Sequence, residues 1–337
     1  MNLDVLIPSL LLPAPMHKLL PPPNIPALEQ LLARADRRIN ATKAGASWLC
    51  DCWGIAAPYP VAPLLAEHDG IDVSNHAWLF AEPFHHSPQQ QWRKLSPARF
   101  LELSSDESAE LIAALNANFA DRRLTFFAPT PARWYVRCDP MEIPATTPID
   151  HAGIGSPLDY QPQSSGALNW RSIQNEAQML LFAHPVNAAR EAAGRPLISG
   201  VWFWGGGTRP VIAKPAYQRV AASSPLAIQL ARRAGIMVQP MTWDSVRSAS
   251  GTVLAVADSC DALARDDDWL KWAQELERLD REWFLPLLDA LGAGIVASLT
   301  IHAPLADATQ TFHLTRRQHS FRFWRASKSL STYASHA

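Results

Sequence analysis

Short apolar runs of strand length alternate with amphipathic helical segments along most of this chain. That alternation limits the fold more than any other feature. Leu3–Ile7 reads as a short buried strand, and Ala27–Ile39 has helical spacing, with Leu28, Leu31, Leu32 and Ala35 on one face. Trp78–Phe80 and Gln91–Leu103 look extended. Ser104 or Ser105 is placed to cap a helix over Asp106–Phe119, with Glu107 in its first turn. Leu124–Ala128 and Trp134–Arg137 read as strands, Trp170–Ala183 as a helix and Gly200–Trp204 as a buried strand. Beyond these, the pattern predicts a helix at Pro225–Ala234, a strand at Thr252–Ala257, one long or broken helix at Asp266–Leu291 and a strand at Ile295–Ile301. Thr311–Thr315 and Ser320–Trp324 suggest a closing antiparallel pair. The expected class is α/β, a mixed sheet with flanking helices.

Proline punctuates the chain, at 28 of 337 residues. Pro140, Pro144, Pro148, Pro157 and Pro162 fall where apolar periodicity lapses. The reading is therefore an N-terminal α/β region over 1–140, a Pro-rich linker over 141–166 and a second α/β region over 167–337. Pro8, Pro13 and Pro15 interrupt the apolar N-terminal residues, and Asp4 stands where a signal peptide carries a cation. No stretch nears the roughly 18 uninterrupted apolar residues of a membrane span. These features point to a cytoplasmic protein with no membrane partner. The 30 basic and 31 acidic residues leave no electrostatic footprint for nucleic acid. Cys50, Cys52, Cys138 and Cys260 lack metal-knuckle or redox spacing and read as free, mostly buried thiols.

The densest segment runs from Trp170 to Pro210. Pro185 stops or kinks the first helix after His184 and sits in the first turn of a second, which carries Asn187, Arg190 and Glu191 on one face. Gly194 suits a left-handed cap. The strand Val201–Trp204 then meets Gly205, Gly206 and Gly207, which would let the backbone turn sharply or approach a ligand, with Arg209 beyond them as an anion contact. The spacing is neither that of a phosphate loop nor of a dinucleotide fingerprint.

This segment resembles the archaeal type of cofactor-independent phosphoglycerate mutase, of the alkaline phosphatase superfamily. The resemblance is carried by Asn175-Glu176, Leu181, His184-Pro185-Val186-Asn187, Arg190, Gly194 and Gly205–Gly207. Over most of its length the chain resembles bacterial regulatory proteins of the RpfE type. There the matching segments include Asp69-Gly70, Trp78–His85, Ser104–Phe119, Arg133-Trp134-Tyr135 and Phe323-Trp324-Arg325.

The resemblance implies an alkaline-phosphatase-like fold in the C-terminal half. It also implies a ligand site built from Glu176, His184, Asn187, Arg190, Gly205, Gly206, Gly207 and Arg209. An active mutase would need two divalent metals, Mn or Zn, held by several Asp and His side chains, and a serine to carry the phosphoryl group. The family's first metal aspartate lies in an apolar strand followed by Asp-Gly near the N-terminus, and no Asp-Gly follows the corresponding strand here. Here the region reads Asp4-Val5-Leu6-Ile7-Pro8-Ser9. The family's late Asp-His pair is matched only by Thr300-Ile301-His302, and Asp280 alone stands in the helix before it. The expectation is a catalytically degenerate, mutase-like protein with a regulatory or ligand-sensing role and no cofactor. Its partner would be a small phosphorylated metabolite or a protein. An active mutase or related phosphoryl-transfer enzyme and a Trp-rich partner-binding scaffold are the alternatives.

Secondary candidates have simpler readings. His68, Asp72 and His76 are spaced by four, but turn signals lie between them. His85-His86 ends an extended segment, and Asp266-Asp267-Asp268 suits a helix N-cap. Arg316, Arg317, Arg322, Arg325 and Lys328, interleaved with Phe321, Phe323 and Trp324, read as a cationic edge strand or as a surface for a phosphorylated or acidic partner.

Overall fold

The computed structural model describes residues 1–12, 21–41, 45–86, 95–149, 168–305 and 308–334. In chain order its strands are β1 (Asn2–Leu6), β2 (Asp36–Asn40), β3 (Ala77–His86), β4 (Leu95–Pro97), β5 (Thr125–Thr130) and β6 (Arg133–Cys138). They continue with β7 (Gly200–Thr208), β8 (Arg219–Ala222), β9 (Met237–Gln239), β10 (Thr252–Val256), β11 (Ser298–Pro304) and β12 (Thr309–Thr315). The mixed α/β class is as the alternation implies.

The chain forms two units, one joining Met1–Ile55 to Ile212–Ala337 and the other spanning Ala56–Val211. These do not coincide with a division at 141–166. The reason is the pairing of β1. Leu3 lies beside Val253 of β10 and Leu299 of β11, so the first strand belongs with the last third of the chain. Part of the expected linker, 150–166, lies outside the described residues. Its beginning is anchored within the second unit, where Glu142 accepts the Leu168 amide at 2.7 Å and its carbonyl accepts Trp170 Nε1 at 2.7 Å.

The sheet of the first unit has the order β2-β12-β11-β1-β10-β8-β9. β11, β1, β10, β8 and β9 run parallel, and β12 is antiparallel to both β11 and β2. A parallel sheet covered on both faces selects continuous apolar strands. Accordingly Val253, Leu254, Ala255 and Val256 are all buried. Leu3, Val5 and Ile7 pack in one cluster with Leu28, Leu31 and Leu32 of the helix Pro26–Arg34 and with Trp272, Leu276, Phe284 and Leu287. The segment read as one long or broken helix is Trp269–Leu279, a π-helical turn at Asp280–Phe284, and Leu285–Ala293. Pro286 explains the break. Its ring would strike the preceding turn and it has no amide to donate, so the ladder widens to let the Leu285 amide reach the Asp280 carbonyl.

Two expected elements differ. The helix predicted to reach Ile39 ends at Arg34, and Asp36–Asn40 is β2 at the sheet edge. Cross-strand bonds hold it there, Arg37 Nε to Gln310 Oε1 at 2.9 Å and Asn40 Nδ2 to Thr311 Oγ1 at 3.3 Å. The strand predicted at Ser320–Trp324 is not formed. Thr315 and Gln318 close a capping box that starts a helix, Arg316–Phe321, and β2 already occupies the edge of β12.

In the second unit β4, β6 and β7 pair antiparallel with β3, and β5 with β6. Leu79, Leu111, Leu115, Phe119, Trp134, Trp170 and Phe203 form its core. The helix Ser105–Asn118 begins with the capping box of Ser104 and Glu107. Gly205–Gly207 do not form a turn after the strand, because β7 continues through them to Thr208. A Cβ at Gly206 would stand 2.9 Å from Leu79, one at Gly207 would collide with Pro60, and Gly205 has φ +64°. The glycines thus let an irregular strand pack closely on its neighbours. Among the described residues no helix is long and apolar enough to cross a membrane.

Candidate functional site

The residues singled out between Glu176 and Arg209 lie in the second unit. His184 is the N-cap of the helix Pro185–Ala192, where its Nδ1 accepts the Val186 amide at 3.3 Å. Asn187 is buried. Its Nδ2 donates to the carbonyls of Leu181 (2.7 Å) and Ile198 (2.9 Å), and its Oδ1 accepts the Ile198 amide at 2.8 Å. One side chain therefore fastens the end of one helix to the segment entering β7. Arg190 is also buried, with all three guanidinium nitrogens in use. Nε donates to the Pro196 carbonyl at 2.7 Å, Nη1 to both Glu107 oxygens at 2.9 Å, and Nη2 to the Leu101 carbonyl.

Glu107 closes the Ser104 capping box and also receives Arg195. Burial would raise its pKa, but the Ser104 amide, Arg190 and Arg195 outweigh this and hold it below the usual range. Glu176 accepts from Asn118 at 2.9 Å and pairs with Arg122 at 2.7 Å. Arg209, half exposed, pairs with Glu67 of the helix Val61–His68. The two arginines thus serve separate carboxylates on separate helices. None of the eight residues lines the surface depression of about 300 Å³ formed by Ser105, Ser108, Ile112, Ala128, Thr130 and their neighbours.

Two of the segments that carry the longer resemblance, Asp69-Gly70 and Arg133-Trp134-Tyr135, meet at Asp69. Its carboxylate accepts Arg133 Nε (2.7 Å) and Nη2 (2.5 Å) and the Tyr135 hydroxyl (2.7 Å).

A second polar group, in the first unit, was only half visible in the sequence. Strand alternation sends Leu3 and Val5 to one face of the sheet and Asp4 to the other. On that face the Tyr217 hydroxyl donates to Asp4 Oδ2 at 2.8 Å, and His302 Nε2 lies 3.9 Å from the same oxygen. The Trp48 ring centroid stands 4.7 Å from that of His302, and the Tyr217 hydroxyl lies close enough to Cys52 to act on its thiol. Burial alone would raise the Asp4 pKa, but His302, Tyr217 and Thr300 together bring it below the usual carboxylate range. Burial pushes the Cys52 thiol up to about 11 and the Tyr217 phenol higher still. The group is therefore an anionic carboxylate held by neutral donors beside an imidazole, and its thiol is no thiolate nucleophile at neutral pH. Asp4 and His302 were named in the sequence as the places to look for metal ligands. Tyr217 had no signal, because what matters is its reach to β1, 213 residues away.

The remaining candidates have local roles. Asp280 is buried and accepts the amides of Leu28 (2.7 Å) and Ala27 (3.2 Å). Asp268 caps the helix Trp269–Leu279 through the Lys271 amide. His68 ends a helix, whereas Asp72 accepts the Ser74 amide and His76 meets the Ser74 carbonyl in the turns that follow, so the three share no helical face. His85 Nδ1 contacts the Leu197 carbonyl at 2.9 Å. All four cysteines are free, with Cys50, Cys138 and Cys260 buried. Among the described residues no group of three or more His, Cys, Asp or Glu side chains could hold a metal ion.

No family model matches the chain, and no curated protein matches it. Solved structures do. The PH0037 protein from Pyrococcus horikoshii is similar at a TM-score of 0.56 and 16% identity, over 93% of this chain and 87% of that one. The cofactor-independent phosphoglycerate mutase from Thermoplasma acidophilum DSM 1728 is similar at a TM-score of 0.46 and 15% identity, over 93% of this chain and 89% of that one. At such identities the likeness to PH0037 is one of fold.

Proposed function

We propose that this chain is a phosphoglycerate-mutase-like protein of the RpfE type that senses a small phosphorylated metabolite and does not carry out the mutase reaction. The observation that carries this reading is the use made of the acidic groups where the resemblance looks for metal ligands. Asp280 receives two backbone amides, and Asp4 receives the Tyr217 hydroxyl. In-line phosphoryl transfer between two metals needs several anionic ligands free to coordinate. The sequence resemblance supports the mutase-like half of the proposal. On the sensing side, Arg209 is the accessible cation among the expected ligand residues, since its surface pairing with Glu67 is weak enough to be exchanged for a phosphate.

The scaffold alternative gains little from the tryptophans as a class. Trp53, Trp78, Trp134, Trp170, Trp202 and Trp272 are fully buried and serve as core.

The test combines three measurements on the full chain. After dialysis against Mn²⁺ or Zn²⁺, elemental mass spectrometry should find well under two metals per chain. Interconversion of 2- and 3-phosphoglycerate should be absent. At least one phosphorylated metabolite should raise the melting temperature, by mass action on the native state, and Arg209→Ala should reduce that rise. Two bound metals with turnover would overturn the degenerate reading. A flat response to every phosphorylated compound would overturn the sensing one.

A further inference from the structure

From Ala308 to Ala337 the chain has no Asp or Glu, yet Arg316, Arg317, Arg322, Arg325 and Lys328 fall within thirteen residues. The helix Arg316–Phe321 and the residues after it leave Phe321, Phe323 and Trp324 exposed at 61%, 73% and 67%. Large rings grouped at this exposure are uncommon on a soluble surface and mark contact sites. Around them Arg316, Arg317, Arg325 and Lys328 are also exposed. Arg322 pairs with Asp36 at 2.7 Å, and the same carboxylate feels the charge of Arg325. Arg317 lies over the Phe321 ring and Arg325 reaches the carbonyls of Ala33 and Ala35, but among the described residues neither forms an ion pair, nor do Arg316 and Lys328. The edge-strand account of these cations does not apply, because the segment is a helix and a turn and the edge of β12 is covered by β2.

The composition also indicates the chemistry of the partner. Aromatic residues and arginine are enriched at protein interfaces, while lysine and acidic residues are depleted. This patch has four arginines to one lysine. A guanidinium fork matches a carboxylate in two parallel hydrogen bonds. We infer that the surface from Arg316 to Lys328 docks an acidic segment of another protein, one in which carboxylates flank an apolar anchor that covers Phe323 and Trp324. This inference is independent of the sensing proposal.

The test is selection of a displayed library of random twelve-residue peptides on the full chain. Recovered binders should be enriched in Asp and Glu together with Leu, Phe or Trp. Phe323→Ser with Trp324→Ser should weaken their binding at least tenfold. Arg317→Glu with Lys328→Glu should remove the preference for acidic peptides, whereas Arg317→Lys with Lys328→Arg should keep it. All of these side chains are exposed, so the fold is not at stake. Binders with no acidic enrichment, or binders indifferent to both sets of variants, would overturn the inference. So would tight binding of the wild type to phosphatidylserine vesicles that the charge reversals abolish, which would identify a lipid surface. A dimer in analytical ultracentrifugation that Trp324→Ser dissolves would assign the patch to a second copy of the chain and overturn it equally.

Discussion

Arg190 Nη1 donates to both carboxylate oxygens of Glu107 at 2.9 Å, although 83 positions separate the two residues in the chain. The pair joins the helix Pro185–Ala192 to the first turn of the helix Ser105–Asn118, and only 1% of the Arg190 side chain meets solvent. Removing one partner of a buried ion pair leaves the other charge uncompensated, which costs about 3–5 kcal/mol. Arg190→Ala should therefore lower the unfolding free energy by about 3 kcal/mol or more in urea titration. Arg190→Lys should recover only part, since an ammonium cannot reproduce the fork. A ligand contact would behave oppositely, with stability unchanged and binding lost.

The same pair sets an acid response. Burial works to raise the Glu107 pKa, but the Ser104 amide, Arg190 and Arg195 bring it below its ordinary 4.5. A carboxyl lowered in the folded state binds fewer protons there than when unfolded. Its stabilising contribution is present above the unfolded pKa and is lost as pH falls through the folded one. Between pH 6 and pH 3 the wild type should lose more stability than Glu107→Gln. Urea midpoints across that range measure the difference, and parallel curves would show that Glu107 has no linkage.

How much of this was legible in the sequence depends on the range of the interaction. A helix start at Ser104 or Ser105 with Glu107 in its first turn is written within four residues and was readable, as was the short apolar strand at Leu3–Ile7. The end of the first helix was not, because Asp36–Asn40 becomes a strand only when β12 supplies an edge some 270 residues later. The glycine run reads as a turn by composition. Whether it turns or packs depends on Pro60, Leu79 and Phe80, which the local sequence does not reveal. For the site, residue types were informative and partners were not. Asn187 and Arg190 look like ligand contacts until Ile198, Leu101 and Glu107 are seen around them.

Asp280 offers a test that separates a structural carboxylate from a metal ligand. Ile25, at the N-cap of the helix Pro26–Arg34, makes no side-chain capping bond, and Asp280 accepts the Ala27 and Leu28 amides from outside the helix. Loss of a cap costs about 0.5–2 kcal/mol, and leaving buried amides unpaired adds to it. Asp280→Ala should destabilise the protein by about 2 kcal/mol, and Asp280→Asn by less, since its amide oxygen can still accept. Added Mn²⁺ should leave these differences unchanged. A penalty that appears only with metal present would return Asp280 to the coordinating role.

Tyr217 and Asp4 carry the last prediction. The phenol is a neutral donor, its pKa raised by burial and by Asp4, and its bond to Oδ2 helps keep the carboxyl ionised on a covered face of the sheet. Tyr217→Phe deletes that donor and leaves the ring packed near Trp53. A hydrogen bond to a charged group contributes about 1.5–3 kcal/mol, so the Asp4 pKa should rise by about one unit or more in carboxyl-carbon NMR titration, with a stability loss of similar size at pH 7. Cys52 gives an independent reading. With its thiol pushed up to about 11, and those of Cys50, Cys138 and Cys260 to about 12, the native wild type should react slowly with a thiol reagent at pH 7.5. In guanidinium all four cysteines should react. In Tyr217→Phe the thiol stays buried and loses the hydroxyl that works to lower its pKa, so its labelling should be no faster than in the wild type. Rapid labelling of Cys52 in the native wild type would mean a thiolate already present beside Asp4 and an electrostatic balance opposite to the one derived for this face of the sheet.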